Sequence, residues 1–286
     1  MITDVAGIRV GHWTDAVAQT GCTAVVLPTD AVASGEVRGG APGTREFELL
    51  APTRLVEHVD VVMLSGGSAF GLATCDGAMR WCEQNGLGYE TRAGRVPIVV
   101  GAIIFDLLVG DGSVRPDADA GYAACAAASG GPIATGPVGA GTGATIGKVG
   151  GPDTTRPGGI GTASKRHENI VVSALVVANA GGHVRDPNTA PLPWNDPEPL
   201  RPIENTTIGV IATNARLDKV ACHLLAQSGH DGIARAVDPS HTRFDGDALV
   251  AVATGEVDVD VDLERLRSMA AHAVEAAIRN AVAASG

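Results

Sequence analysis

The chain has 286 residues, of which 45% are apolar and only 3% aromatic, with 38 glycines and a formal net charge of -11. That length and apolar content allow a large buried core and argue against disorder, while the acidic balance without any Lys/Arg cluster argues against a nucleic-acid partner. Five scattered cysteines without a C-x-x-C pair read as reduced, small core residues of a reducing compartment.

The start, Met1-Ile2-Thr3-Asp4, lacks the basic and apolar stretches of a secretory signal. The apolar run 171–178 is too short to span a membrane, and the run 97–109 is interrupted by Asp106. The expected location is the cytoplasm, with no membrane partner.

In chain order, residues 8–13 and 22–28 are short strands that suggest an antiparallel beginning. Residues 33–44, rich in glycine and proline, predict a loop, and 46–56 a helix that buries Phe47, Leu50 and Leu55. An apolar strand over 59–64 runs into Ser65-Gly66-Gly67-Ser68-Ala69-Phe70-Gly71 and a helix over 69–84. The glycine turn offers backbone N–H groups to an anion, and Ser68 reads as a helix cap. It does not fit the G-x-S-x-G elbow of serine hydrolases, because Phe70 stands where the second glycine belongs.

Residues 97–107 form the longest apolar strand candidate, ending in Phe105-Asp106, and 117–129 a helix of small residues. Gly139-Ala140-Gly141-Thr142-Gly143-Ala144 fits the dinucleotide fingerprint G-x-G-x-x-A. Its context fails, since no apolar strand precedes it and Gly147, Gly150, Gly151 and Pro152 break any following helix. What remains is a glycine-rich segment that lets backbone pass close to a neighbour and ends in Lys148. That lysine is either a surface residue or, lined up in a site, one that hydrogen-bonds or deprotonates a nucleophile.

A strand over 170–178 delivers Asn179, which is a turn former or a side-chain N–H donor to a developing oxyanion. The run 186–202 holds Pro187, Pro191, Pro193, Pro197, Pro199 and Pro202 and predicts an exposed loop. It leads through Glu204 and Asn205-Thr206-Thr207 into the apolar Ile208, Val210 and Ile211, with Asn214 placed to cap a helix over 215–227 that Gly229 stops. Thr206 has two readings. One is a threonine chosen for its β propensity at a strand entrance. The other is a nucleophile that, once the Asn205–Thr206 bond is cut, has its own α-amine as base. Asp245 and Asp247 lead into a strand over 248–255, either as a solvated turn or as a pair that shares a proton or orients a nucleophile. Asp262 caps a closing helix over 263–284. No His/Cys spacing suggests a metal or other cofactor.

Taken in order, Gly66 to Leu72, the run 97–106, Gly141 to Lys148 with Gly159 to Ser164, Val177 to Gly181 and Asn205-Thr206-Thr207-Ile208 resemble the L-aminopeptidase/D-esterase (DmpA-like) family. That family includes β-aminopeptidases and the nylon-oligomer hydrolase. The resemblance covers nearly the whole chain. It implies an α+β fold, a four-layer αββα sandwich like that of N-terminal-nucleophile hydrolases, in one domain spanning 1–286 that cuts itself into 1–205 and 206–286.

It further implies Thr206 as nucleophile and Asn205 as the residue left behind. Lys148 and Asn179 match the activating and oxyanion-stabilising positions, and Asp245 and Asp247 the acidic pair of the nylon-oligomer hydrolase. Aminopeptidase members commonly use serine, so threonine here looks more like the nylon-hydrolase branch. The implied substrate is a short peptide or oligoamide, no cofactor is needed, and the implied assembly is a homo-tetramer or larger. An acyltransferase resembling ornithine acetyltransferase and a non-catalytic small-ligand binding protein are the alternatives.

Overall fold

The computed structural model describes residues 1–185, 205–258 and 262–285. The proline-rich run 186–202 and Glu204, expected to form a loop, lie outside the described residues. The first half supplies strands β1 (Arg9–Asp15), β2 (Thr20–Val26), β3 (Val32–Val37), β4 (Thr44–Arg45), β5 (Val61–Ser65) and β6 (Val99–Ile103), with helices α1 (Thr74–Gln84) and α2 (Ala118–Ala126). The second half supplies β7 (Gly159–His167), β8 (Ile170–Asn179), β9 (Thr206–Ala215) and β10 (Ala248–Val257), with helices α3 (Lys219–Ala236) and α4 (Leu263–Ala283).

These strands form two five-stranded sheets, ordered β1-β2-β5-β6-β4 and β7-β8-β9-β10-β3. Alternation along each strand shows why they stack. Val25, Val62, Leu64, Val100 and Ala102 of the first sheet pack with Leu175, Val177, Ile208, Val210 and Val250 of the second. The odd set out, Cys22, Ala24, Met63 and Val99, packs instead against Cys75, Ala78 and Trp81 of α1 and Ala124 of α2. On the far side, Val172, Val176, Ile211 and Leu249 pack against Leu225, Leu266, Val274 and Ile278 of α3 and α4. A strand that is apolar on both faces must be covered on both, and the result is the α+β, αββα sandwich expected from the sequence. The cysteines are buried and unpaired. Among the described residues no helix is long and apolar enough to cross a membrane.

Several local expectations are corrected. Part of the predicted loop 33–44 is strand β3, which pairs with β10. The predicted helix over 46–56 is only the 3-10 turn Phe47–Leu50. Glu46 is left-handed at φ 56° and Ala51 is extended at ψ 139°, the conformation a following proline imposes. Leu50 is buried there, but Leu55 is 85% exposed. Asn214 does not cap a helix: it lies within β9, accepts from the Val171 N–H and donates to the Asn169 carbonyl. Asp218 caps α3 instead, through the Ala221 N–H.

Nor does Gly229 stop α3. The helix continues through Gly229 and Gly232, whose missing side chains let it lie against Ile211 and Leu249 of the sheet and the Ala271 carbonyl of α4. The same close approach recurs at Gly161 of β7, where a Cβ would overlap the Ala277 carbonyl and the Ala281 nitrogen of α4. Gly161→Val should therefore lower the urea midpoint, by about 1–3 kcal/mol of stability typical of overpacking. Gly131→Ala, with nothing within 4 Å of the new methyl, should leave the midpoint unchanged.

Candidate active site

β8 and β9 pair antiparallel in a register that sets Asn179, the last residue of β8, opposite Thr206, the first of β9. Residues opposed in this way share a face, with Cβ atoms about 4.5–5.5 Å apart. Val177 and Ile208, two residues along from each, lie in the core between the sheets, so Asn179 and Thr206 belong to that inner face. Both are buried, Asn179 completely and Thr206 to 4% exposure.

The Asn179 amide is fixed by its neighbours. Its Oδ1 accepts from Lys148 Nζ at 3.0 Å and from the Thr145 N–H at 3.0 Å, its carbonyl accepts from Lys148 Nζ at 3.1 Å, and its Nδ2 donates to the Phe105 carbonyl at 3.3 Å. Two donors on one side and an acceptor on the other leave only one orientation of the amide that satisfies all three. The glycine-rich segment brings Lys148 here by bridging the sheets. Gly139 and Ala140 donate to Thr14 and Thr23 of the first sheet, while Gly147 and Val149 donate to the Gly182 and Gly181 carbonyls beyond β8.

The Gly67 N–H of the glycine turn 66–67 is taken by a carboxyl group of the chain itself. Asp106 accepts from the Gly67 N–H at 2.6 Å and the Thr20 hydroxyl at 2.7 Å. Burial pushes the Asp106 pKa up, opposed by those two hydrogen bonds and by the charge of Lys148. Ser68 does not cap the helix as expected; Gly67 occupies that position, and the Ser68 backbone N–H donates to the Ile104 carbonyl.

At the entrance of β9 the Thr206 hydroxyl donates to the carbonyl oxygen of Asn205. The same oxygen accepts the Gly246 N–H at 2.8 Å, and Asn205 bridges in parallel to Asp245. A Cβ on Gly246 would stand 2.8 Å from Thr206 Oγ1 and 2.8 Å from the Ala41 carbonyl, so only glycine keeps the space beside the hydroxyl open. The two acids have separate tasks. Asp247 accepts the Thr207 N–H on Oδ1 at 2.7 Å and holds His241 on Oδ2, through the ring Nδ1 at 2.8 Å and the backbone N–H at 3.2 Å. Asp245 closes its own turn by accepting the Thr242 N–H at 2.6 Å. Its pKa is raised, first by burial and then by the charge of Asp247. Asp245 and Asn205 line a small cavity with Val149, Gly181, Gly182, Thr242 and Phe244.

The structure thus brings Lys148, Asn179, Asn205, Thr206, Asp245 and Asp247 to one end of the inner sheet, and adds residues the sequence did not reveal. Gly246 was passed over between two more conspicuous acids. His241 and Thr20 carry no local mark in the sequence, and Asp106, read there only as the polar end of an apolar run, gains its partners from the fold.

A hydroxyl, an amide, an ammonium group and buried carboxylates thus meet at the edge of an αββα sandwich. The fold is that of the N-terminal-nucleophile hydrolases. It matches the L-aminopeptidase D-Ala-esterase/amidase of Ochrobactrum anthropi with a TM-score of 0.80 at 22% identity, over 99% of this chain and 86% of that one. A β-aminopeptidase of Burkholderia sp. superposes with a TM-score of 0.75 at 27% identity, over 100% of this chain and 86% of that one. Residues 1–286 match the model of Peptidase family S58, and the chain belongs to that family, as a hydrolase of the aminopeptidase/amidase class. An uncharacterized aminopeptidase of Mycobacterium tuberculosis is 45% identical over 90% of this chain and 82% of its own length. The 6-aminohexanoate-oligomer endohydrolase of Kocuria sp. is 32% identical over 90% of this chain and 75% of its own.

Asn179→Ala should strand the Thr145 N–H and withdraw one acceptor from Lys148. Leaving a buried donor unsatisfied costs about 1–3 kcal/mol, to be read as a lower urea midpoint than that of the parent chain.

Proposed function

We propose that the chain is a self-processing amidohydrolase that cuts itself between Asn205 and Thr206 into 1–205 and 206–286, and then uses Thr206 as an N-terminal nucleophile on short peptides or oligoamides. The observation that carries this reading is the contact of the Thr206 hydroxyl with the Asn205 carbonyl, whose oxygen is already held by the Gly246 N–H. Attack of Oγ1 on the Asn205 carbonyl carbon puts negative charge on that oxygen, where a positioned N–H counts most. Collapse breaks the peptide C–N bond, the nitrogen takes a proton, and the resulting ester is hydrolysed by water. The products are a carboxylate on Asn205 and a free α-amine on Thr206.

That amine has a reference pKa of about 7.7–8.0, so at neutrality roughly a tenth to a sixth of it is unprotonated and able to take the hydroxyl proton as Thr206 attacks a substrate amide, a share that grows as pH rises. Lys148 assists at the nucleophile. Asn179, already aligned by Lys148, Thr145 and Phe105, turns its remaining Nδ2–H to the substrate oxyanion. The amine leaves, and water releases the acyl group from Thr206. Asp247 fixes the backbone after the nucleophile through the Thr207 N–H, and Asp245, with its raised pKa, is the group beside Asn205 suited to carry a proton.

The substrate class is supported by the relatives, one named for 6-aminohexanoate oligomers and one a β-aminopeptidase. Assembly into a tetramer or larger in the cytoplasm belongs to the same proposal.

Intact mass under denaturing conditions tests it. The parent chain should give two species, the smaller beginning at Thr206; Thr206→Ala should give one uncut, inactive chain, and a two-chain product from that variant would refute the assignment. Lys148→Ala should slow both cutting and turnover by about 10²-fold or more, the low end for positioned acid–base groups. Gly246→Ala should arrest cutting by crowding the hydroxyl, as followed by the fraction of uncut chain over time.

A further inference from the structure

We propose that His241 is a positioning residue for the Thr206 centre: as an imidazolium it clamps Asp247, which in turn fixes the backbone immediately after the nucleophile. The inference rests on the reading of Thr206 given above and extends it to the pH dependence of self-cleavage.

Both ring nitrogens of His241 face acceptors. Nδ1 lies 2.8 Å from Asp247 Oδ2, and Nε2 lies 3.1 Å from the His230 carbonyl oxygen. A carboxylate and a carbonyl oxygen can only accept here, so each bond requires a proton on the ring, and a ring with both protons is charged. The neighbouring His230 differs. Its Nε2 faces the Glu36 carbonyl at 3.1 Å, and burial pushes its pKa down to about 4, so it stays neutral. The two rings meet edge to face with centroids 5.0 Å apart, a packing that two like charges would oppose.

The groups facing His241 are Asp247 and Asp245 from the turn before β10, His230 from α3, and Arg38 from the end of β3. Burial pulls the His241 pKa down, but the hydrogen bond to Asp247 and its charge outweigh burial and the repulsion from Arg38, and the net shift is upward. The sign follows. A raised folded-state pKa means the pairing is fully present below the ordinary histidine value of about 6.5 and is lost as pH rises through the folded value. With the charge lost the ring keeps one proton, so Oδ2 retains at most a neutral hydrogen bond beside the His241 backbone N–H, Oδ1 is held less firmly on the Thr207 N–H, and the hydroxyl loses part of its alignment on the Asn205 carbonyl. Self-cleavage is the step to follow, because no Thr206 α-amine exists yet to titrate in the same range.

His241 sits at φ 56°, which Asn and Gly both tolerate, so neither substitution adds backbone strain. His241→Gly removes the clamp and should slow cutting about 10-fold or more, as misplaced reacting groups do. His241→Asn can return a neutral N–H to Asp247 and should recover part of that rate without the decline at high pH seen in the parent. Rates within twofold of the parent in both variants, or the same decline in His241→Asn, would overturn the proposal. A second measurement stands apart from cutting: the nitrogen-15 spectrum of the His241 ring in the uncut Thr206→Ala chain. It should show both nitrogens protonated at neutral pH, and the charge should be lost in the Thr206→Ala/Asp247→Asn chain. A neutral ring in a chain whose parent cuts itself defeats the clamp alone. A charged ring in a chain whose parent never cuts defeats the Thr206 chemistry, and the positioning role with it.

Discussion

The geometry of this centre hangs on one cross-strand pair, Asn179 opposite Thr206. Because side chains alternate with a period of two, a slip of one residue between β8 and β9 would turn one partner away from the other. The register is held along the whole contact, from Val172 against Thr213 to Asn179 against Thr206, by strands buried on both faces. Thus the apolar sandwich and the polar centre are not separate designs. The same packing that buries Val177 and Ile208 presents, two residues further on, an amide to a hydroxyl.

Around that pair the fold gathers segments distant in sequence. Lys148 arrives on a glycine-rich bridge between the sheets, the Phe105 carbonyl from the strand β6 extension, and Asp245, Gly246 and Asp247 from the turn that enters β10. The neutral His230 beneath the Asp247–His241 pair shows how burial and hydrogen-bond direction give two adjacent histidines different protonation states.

Much of this was legible in the sequence, for identifiable reasons. Strands such as β8 and β9 are long apolar runs bounded by polar residues, and the cap Asp262 announces α4. The candidate site residues were picked out through the order of several short motifs, since none of them is specific alone. The failures are equally physical. Glycine was read as a breaker in α3 and β3, where it instead permits close packing, and Pro52 cut short the helix that Phe47 and Leu50 suggested. His241 could not be found at all. Its role depends on a carboxylate six residues away and on a carbonyl of α3, and neither leaves a trace in the spacing.

Asn205 and Thr206 are 3% and 4% exposed, and the peptide between them is drawn into a sheet by Asp245 and Gly246 on one side and Asn179 on the other. On the self-processing proposal, the break of a bond so enclosed is a first-order event within one folded molecule, indifferent to dilution and to protease inhibitors, and a defective copy is not matured by an intact one supplied beside it.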